Sequence, residues 1–496
     1  MTRLAVIGID SMDSLLVDAF IDDLPNLRRL KEASPPIAMH SVFPPDSDTA
    51  WATIYTGLNP AEHGVVHFVD PLEKTSIYQT DYLDSSLVRG RTFWDAAGEA
   101  GKRVCVVNPH IGYPVWPVYG TMVSRSPKNT GVQTYPETVP GINGDVAGLL
   151  MPDRIPDSKG EYQEFLERLE SVVRREAAVA EEIMRSTRWD LFFFYSSALD
   201  FVQHIFWNYC DPEDPMYPGD DNPFRDTIRH FYQTYDEVVG SLISGIPPDT
   251  AVIVMSDHGH TMRPSDLINI NEILRLEGYL VANNGISAPI KNAGEKVKRA
   301  AVNIIQRTAL RGTALRILRK HPGIKEYYTV PSSIDFGRTV AHCTDLSGMK
   351  AYNYGGILIA REKLGPEKGY DEVRKEIIDL LSSYTLSTGA PVFEWIRERE
   401  ALYQGRHLEK YPDILFKLRE GYGAGWAIHE SIFSTSNTHS FYPGSHRGDT
   451  PIFFLRVPGT SNQALTEAGL EDVSPTILDI LGVGGNGRGG SGKSLI

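Results

Sequence analysis

Short apolar runs alternate with longer amphipathic stretches along the first half of the chain. Buried strands are predicted over residues 4–9, 103–108, 190–196 and 251–256. Helices are predicted over residues 25–33, 49–56, 160–187 and 225–243. This alternation predicts an α/β fold with a central, mostly parallel sheet flanked by helices. Sheets of this kind bind ligands at the carboxyl ends of their strands.

The second half of the chain is less regular. A strand and a helix are predicted over 350–359 and 370–384, returning strands over 412–418 and 451–456, and a last helix over 470–481, capped by Ser474 with Pro475 at its first position. We expect a discontinuous core made of residues 1–265 and 340–482. Residues 266–339 are expected to form an inserted, mostly helical subdomain or lid.

Two segments of unusual composition lie in or beyond that predicted insert. Residues 291–320 contain nine Lys/Arg and one Glu, which is typical of a solvated helical face and also of a surface that meets anionic substrates or lipid headgroups. We favour the solvated face. The Gly-rich tail, residues 483–496, is predicted to be flexible. It is not a phosphate-binding loop, because no strand precedes it and no helix follows it.

Composition narrows the class of protein. The 496 residues carry a net charge of -14, which argues against binding to long nucleic acid. The three cysteines are far apart and form no CxxC pair, so we expect a reducing, cytoplasmic location. No run of about 18 apolar residues exists, so no transmembrane segment is expected. The oligomeric state is not predicted.

Acidic and histidine side chains follow several of the predicted strands. They are Asp10, Asp200, His204, Asp257, His258 and, in a glycine-rich turn, His446. Mixed carboxylate and imidazole ligands suit Zn²⁺ or another first-row divalent ion. Each residue alone has an ordinary structural interpretation, such as a helix cap or a loop histidine. Together they predict a metal site at one edge of the sheet.

A hydroxyl-bearing loop precedes the helix predicted over 49–56. Ser47 and Thr49 are both candidates for a nucleophile there, because a nearby cation would lower the pKa of a hydroxyl and helix amides would hold a phosphate. Either residue could instead be a helix cap, as could Asp46 or Asp48.

The order of these motifs resembles a known family. An Asp after the first strand is followed by hydroxyl-x-x-x-W-x-x-x-x-TG-x-x-P-x-x-HG, D-x-x-x-H, SDHG and GSHR. The segment TIYTGLNPAEHGV (53–65) is especially close. This order is similar to the type I phosphodiesterase/nucleotide pyrophosphatase branch of the alkaline phosphatase superfamily, which implies an alkaline phosphatase-like fold.

The resemblance also implies roles for individual residues. The nucleophile would lie nine residues before the Thr of the Thr-Gly pair, which selects Ser47 over Thr49. One ion would be held by Asp10, Ser47, Asp257 and His258, and the other by Asp200, His204 and His446. His446 fits the pattern better than His439. The two ions would be Zn²⁺, with Mn²⁺ or Mg²⁺ as alternatives.

The implied function is that of a metal-dependent phosphohydrolase. It would be a phosphodiesterase or nucleotide pyrophosphatase that acts on a small phosphate ester, such as a nucleotide, through a phospho-seryl intermediate at a two-metal site. The lack of Cys-x-Pro-x-Arg argues against a sulfatase, and the lack of a nearby Arg favours diesters. The alternatives are a phosphomutase or phosphomonoesterase of the same superfamily, or a non-catalytic metal-binding protein on this fold.

Overall fold

The structure is a computed structural model, and it describes most of the chain. The described residues are 2–68, 72, 84–127, 131–139, 149–152, 156, 159–283, 333–344, 351–366, 368–436, 438–440, 442–459, 466–484 and 490–496. The basic segment 291–320 and most of the predicted insert lie outside these residues, as do positions 485–489 of the tail.

The chain forms two compact units. The first comprises Met1–Val65, Leu83–Thr261 and Gly444–Ile496, and the second comprises Val66–Tyr82 and Met262–Pro443. These boundaries do not coincide with those expected from the sequence, because residues 340–443 pack within the second unit. The division into a discontinuous core and an inserted lid stays a prediction.

The described strands and helices are numbered in chain order. The strands are β1 (Leu4–Ile9), β2 (Ile37–His40), β3 (Val104–Val107), β4 (Gly120–Arg125), β5 (Val132–Tyr135), β6 (Leu191–Ser196), β7 (Ala251–Met255), β8 (Gly259–Met262), β9 (Asp266–Asn269), β10 (Ala341–Cys343), β11 (Tyr354–Ile359), β12 (Phe393–Glu398), β13 (Ile414–Leu418), β14 (Tyr422–Gly425), β15 (Phe433–Thr435), β16 (Gly444–Arg447), β17 (Phe453–Arg456) and β18 (Thr466–Gly469). The helices are α1 (Ser14–Phe20), α2 (Pro25–Ala33), α3 (Ser47–Thr56), α4 (Pro60–His63), α5 (Phe93–Glu99), α6 (Tyr162–Ser186), α7 (Ala198–Cys210), α8 (Thr227–Ser244), α9 (Ile270–Leu276), α10 (Tyr370–Ser382) and α11 (Val473–Ile480).

The first unit is built on a seven-stranded sheet with the order β17-β7-β1-β6-β3-β4-β5. The five inner strands are parallel, and only the edge strands β17 and β5 run antiparallel to their neighbours. Strands β1, β6 and β7 are buried along their whole length, as expected of parallel strands covered by helices on both faces. The predicted fold class is therefore confirmed.

The second unit has a separate sheet of antiparallel strands with the order β10-β11-β13-β12. Its own hydrophobic core includes Ile357, Ile377 and Phe416. Of the two strands predicted to return to the central sheet, β17 does so, whereas β13 belongs to this second sheet.

The helix predictions are confirmed with small changes at the ends. Helix α3 begins at Ser47, two residues earlier than predicted, and the Asp46 side chain accepts a hydrogen bond from the backbone N–H of Asp48 as its cap. The cap predicted for the last helix is wrong. A 3₁₀ turn over Leu470–Asp472 leads directly into α11, which places Ser474 inside the helix.

The last seven residues of the chain contact the first unit. The backbone N–H of Lys493 donates to Asp472 at 2.8 Å, and that of Leu495 donates to the hydroxyl of Thr476 at 3.0 Å.

Among the helices that the structure describes, none combines the length and apolar character that crossing a membrane requires.

Candidate active site

The seven residues predicted to form the site come together at the carboxyl edge of the sheet in the first unit. Strand β1 leads into Asp10, and β7 leads into Asp257 and His258. The first turn of α7 carries Asp200, and His204 follows on the same face of that helix. Ser47 begins α3, and β16 carries His446.

Ser47 lies against one group of potential metal ligands. Its Oγ is 3.2 Å from Nε2 of His258 and 3.4 Å from Oδ1 of Asp10. Potential ligand atoms of Asp10, Asp257 and His258 all lie within 4.8 Å of one another. Nε2 of His258 is also 3.3 Å from Oδ2 of Asp257. The hydroxyl therefore lies beside the carboxylates that could hold a cation.

A second group lies next to the first. Oδ1 of Asp200 is 3.4 Å from Nε2 of His204 and 3.4 Å from Nε2 of His446, and the two imidazole nitrogens are 2.9 Å apart. The rings of His446 and His258 stack with centroids 3.9 Å apart. Potential ligand atoms of Asp200, His258 and His446 also lie within 4.8 Å of one another. His258 thus belongs to both groups.

The three histidines of the site are oriented alike by the backbone. Nδ1 bonds the carbonyl oxygen of Gly259 in His258, of Gly444 in His204 and of Pro45 in His446, at 3.0, 3.0 and 2.7 Å. An Nδ1–H that donates to a carbonyl leaves Nε2 with a free lone pair, which is the state that binds a metal ion. In each case Nε2 faces the cluster.

Burial destabilises the ionised form of the site's carboxylates unless a positive charge lies nearby. Burial raises the pKa of Asp257 to about 7. Burial, with the charges of Asp257 and Asp200, also raises the pKa of Asp10 well above its usual value. Burial alone would raise the pKa of Asp200, but His204 and His446 hold it well below its usual value. The Oδ2 atom of Asp257 makes no hydrogen bond to any described residue. This donor set fits a divalent cation.

Four further residues support Asp10 and were not predicted from the sequence. Tyr195 donates its hydroxyl proton to Oδ2 of Asp10 at 2.5 Å, and the indole N–H of Trp51 donates to the same oxygen at 3.2 Å. His110 lies between Tyr195, at 3.2 Å, and Asp48, at 2.7 Å. Burial alone would lower the pKa of His110, but the hydrogen bond to Asp48 and the nearby negative charges raise it.

Ser11 and His260 connect the two groups. The backbone N–H of Ser11 donates to Oδ1 of Asp257 at 3.1 Å, and its Oγ is 2.7 Å from Nδ1 of His260. His260 lies 3.8 Å from Asp200 and stacks on Trp207 with centroids 5.5 Å apart. The signal for His260 was present in SDHGH, where only the first histidine was selected.

The alternative candidates lie elsewhere. Thr49 is fully buried, and its hydroxyl has no hydrogen-bond partner in the described part of the chain. His439 lies in the second unit, where its Nδ1 is 2.7 Å from the carbonyl oxygen of Arg263.

The motif TG-x-x-P-x-x-HG ends the helix that carries Ser47. Gly57 follows α3 with φ 67°, a left-handed conformation that favours glycine. Asn59 and Glu62 form a capping box at the start of the short helix α4. Nε2 of His63 lies 2.9 Å from the hydroxyl of Thr53 on α3. The motif therefore fixes the position of the helix behind Ser47.

Solved structures with the same fold share little sequence with this chain. Phosphonoacetate hydrolase from Sinorhizobium meliloti 1021, in complex with phosphonoformate, matches with a TM-score of 0.56 and 17% identity over 97% of this chain and 95% of that one. Its complex with phosphonoacetate gives 0.54 and 17% over the same shares. Human ectonucleotide pyrophosphatase/phosphodiesterase 5 gives 0.51 and 14%, covering 99% and 97%. No curated protein matches the chain in sequence.

A family model matches nearly the whole chain. The model describes type I phosphodiesterase/nucleotide pyrophosphatase and covers residues 4–441, so all predicted site residues except His446 lie within the match. The chain belongs to the type I phosphodiesterase/nucleotide pyrophosphatase family of the alkaline phosphatase superfamily, a family of phosphoester hydrolases.

Proposed function

We propose that the protein is a metal-dependent phosphodiesterase that forms a phospho-seryl intermediate on Ser47. The observation that carries the proposal is the position of the Ser47 hydroxyl at the start of α3, 3.2 Å from His258 and 3.4 Å from Asp10. Ser47 is partly exposed, whereas Thr49 is buried, so a substrate can reach the Ser47 hydroxyl.

The residues that would hold the metal ions divide into two sets. Asp10, Ser47, Asp257 and His258 would hold one ion, and Asp200, His204 and His446 would hold the other. The common orientation of the three imidazoles and the unbonded Oδ2 of Asp257 support this assignment. Carboxylates combined with imidazoles favour Zn²⁺, with Mn²⁺ or Mg²⁺ as alternatives. Bound divalent ions would lower the pKa of the serine hydroxyl and offset charge on the phosphoryl oxygens.

The chain's own groups then carry out two displacements. Ser47 Oγ forms a bond to phosphorus while the bond from phosphorus to the leaving ester oxygen breaks. The departing ester oxygen takes up a proton, which balances the proton lost from the Ser47 hydroxyl. Water next attacks the phosphorus of the phospho-serine and the bond from phosphorus to Ser47 Oγ breaks, so that a phosphate monoester leaves and a proton from the water restores the Ser47 hydroxyl. The N-terminus of a helix favours negative charge, so the start of α3, where Ser47 lies, would stabilise the charge on the phosphoryl oxygens.

The proposed substrate is a small phosphate diester, such as a nucleotide. The preference for diesters rests on the lack of an arginine near Ser47 in the sequence, since a monoester carries more charge on its phosphorus oxygens. A cytoplasmic location is also part of the proposal. It is supported by Cys105, Cys210 and Cys343, none of which is in a disulfide bond.

Comparing Ser47→Ala with Thr49→Val tests the function. Ser47→Ala should reduce hydrolysis by at least ~10³-fold and abolish the phosphoenzyme, because it removes the attacking oxygen. Its metal content should stay close to that of the wild type. Thr49→Val matches the loss of a hydroxyl in the same helix and should leave turnover intact. The assay would use nitrophenyl mono-, di- and phosphonate esters with Zn²⁺, Mn²⁺ and Mg²⁺, together with metal analysis.

Three outcomes would contradict the proposal. Full turnover by Ser47→Ala on every ester would remove Ser47 from the reaction. Loss of the phosphoenzyme in Thr49→Val alone would transfer the role to Thr49. A wild-type protein that binds no divalent ion and cleaves no ester would favour a non-catalytic protein on this fold.

A further inference from the structure

The two oxygens of the Asp10 carboxylate have different surroundings. Oδ2 accepts hydrogen bonds from the hydroxyl of Tyr195 at 2.5 Å and from the indole of Trp51 at 3.2 Å. Oδ1 lies on the other side, 3.4 Å from Ser47 Oγ and 3.8 Å from Nε2 of His258. Hydrogen bonds therefore occupy the oxygen that faces away from the site and leave the one beside Ser47 available.

The hydrogen bonds continue from Tyr195 to the residue that follows the nucleophile. A tyrosine hydroxyl has one proton, so the Tyr195 oxygen that donates to Asp10 accepts from Nδ1 of His110 at 3.2 Å. Nε2 of His110 in turn lies 2.7 Å from Oδ1 of Asp48. A continuous chain of four side chains thus joins Asp10 to the first turn of α3.

The backbone near His110 is shaped to place it there. Asn108 and Ile111, on either side of His110 after the end of β3, both have positive φ, 57° and 53°. Positive φ is uncommon for asparagine and costly for a β-branched residue such as isoleucine, so the surrounding structure must hold this turn. The amide nitrogen of Asn108 bonds the buried carboxylate of Glu176 at 3.1 Å, which fixes one end of the turn.

We propose that Tyr195 and His110 are positioning residues that fix Asp10 as a one-oxygen ligand next to Ser47. Tyr195 engages Oδ2, so Asp10 would offer only Oδ1 to an ion. His110 fixes the hydroxyl of Tyr195 and ties it to Asp48, so the ligand and the nucleophile keep a constant separation. The inference rests on the proposed function, since it assigns the supports of that same site.

The position of Tyr195 in its strand supports a specific role for its hydroxyl. The three preceding residues of β6, Phe192 to Phe194, are phenylalanines with no exposed surface, and Tyr195 is 2% exposed. Phenylalanine would satisfy the packing at this position equally well. The hydroxyl group lies where it meets a carboxylate, and supports of this kind alter metal affinity when they are removed.

The test is zinc binding by the Tyr195→Phe protein, measured after chelator treatment by competition with a chromophoric chelator. One of the two zinc ions should bind ~10–100-fold more weakly, because the support of one ligand is lost. The other ion should bind as in the wild type. Tyr235→Phe is the matched control, since the Tyr235 hydroxyl is also buried but bonds Ser196, at 2.7 Å, and none of the proposed ligands.

Turnover separates positioning from general damage. Tyr195→Phe should lose activity at limiting zinc and regain it at saturating zinc, since the ligand itself is intact. His110→Gln leaves the Tyr195 hydroxyl in place. It should therefore weaken the binding of the same zinc ion less than Tyr195→Phe does. The variant that carries both Tyr195→Phe and His110→Gln should bind this zinc ion no more weakly than Tyr195→Phe alone, because both residues act through one chain of hydrogen bonds.

The outcomes distinguish this inference from the proposed function. A wild type that binds two zinc ions and hydrolyses esters, with Tyr195→Phe binding both equally well, would overturn only the inference. Equal weakening of both ions, with no recovery at saturating zinc, would also overturn it. A wild type that binds no divalent ion and cleaves no ester would overturn both proposals.

Discussion

Ser11 makes an unusual number of connections for one small residue. It is fully buried and has φ 66°, a left-handed conformation that is uncommon outside glycine. Its backbone N–H bonds Asp257, its hydroxyl bonds His260, and its carbonyl oxygen accepts from the side chain of Gln203 at 2.8 Å. The left-handed turn directs these three groups towards three different elements.

Substitutions at Ser11 should separate the strain from the hydrogen bond. Ser11→Ala keeps the strained backbone and leaves Nδ1 of His260 without its partner, so we expect a loss of ~1–3 kcal/mol in the free energy of unfolding. Ser11→Gly loses the same bond but relieves the strain, so it should be the less destabilising of the two. Chemical denaturation of both proteins measures the difference. A glycine variant less stable than the alanine variant would contradict this account.

Single residues were predictable where a motif or a strand end marked them. Asp10, Asp200, Asp257 and their histidine neighbours meet because parallel strands β1, β6 and β7 end at one edge of the sheet, and Ser47 at the start of α3 and His446 on β16 join them there. Tyr195 and Trp51 were not found, because an aromatic residue in an apolar segment looks the same whether its polar atom meets a carboxylate or not. His110 lies 63 positions from Ser47, and no local pattern connects them. The roles of the seven residues stay predictions.

At the scale of elements, strand β1 and helix α3 approach closely at Gly8. A Cβ atom added at Gly8 would lie 2.6 Å from the indole ring of Trp51, which is closer than packed side chains allow. Because Gly8 has no side chain, the indole of Trp51 can reach Asp10. The packing of this strand against this helix sets the distance between Asp10 and Ser47.

Gly8→Ala should disturb both stability and the site. The added methyl group must displace Trp51, so we expect a loss of ~1–3 kcal/mol in the free energy of unfolding from overpacking. The zinc affinity should also fall, since the indole N–H would leave Oδ2 of Asp10. Gly245→Ala is the control, because a Cβ atom there meets only atoms at 3.5 and 3.8 Å. Equal stability of the two variants would argue against the close contact.

Most elements could be predicted from the sequence, but the partners of some strands could not. The apolar run at 412–418 marks a strand, and β13 is one, yet the run does not say which sheet it joins. Sheet membership depends on pairing between distant segments, whereas periodicity is local. Helix ends shifted by one to three residues, because caps and neighbouring 3₁₀ turns decide where a helix begins and ends.

For the molecule as a whole, the site couples folding to pH. The pKa of Asp257 is about 7 in the folded protein and about 4 in an unfolded chain. Between these values the folded state binds more protons than the unfolded state. The contribution of Asp257 to the free energy of unfolding therefore falls as pH rises from about 4 to about 7.

The difference in stability between the wild type and Asp257→Asn isolates this effect. With metal removed by a chelator, the wild type should lose stability relative to the variant between pH 5 and pH 8, because the amide does not titrate. Zinc should stabilise the wild type more at pH 8 than at pH 5, since the ligand must be deprotonated. Urea denaturation at both pH values measures this. A wild type whose stability increases relative to that of Asp257→Asn as pH rises would contradict the raised pKa of Asp257.

The chain leaves the first unit at β8 and re-enters it at β16, and these two strands pair with each other. The long excursion between them therefore starts and finishes at adjacent points. Lengthening or trimming such an excursion costs little extra closure entropy. The length of the segment between these strands can accordingly change at little cost, while the strand that bears His446 stays paired with β8.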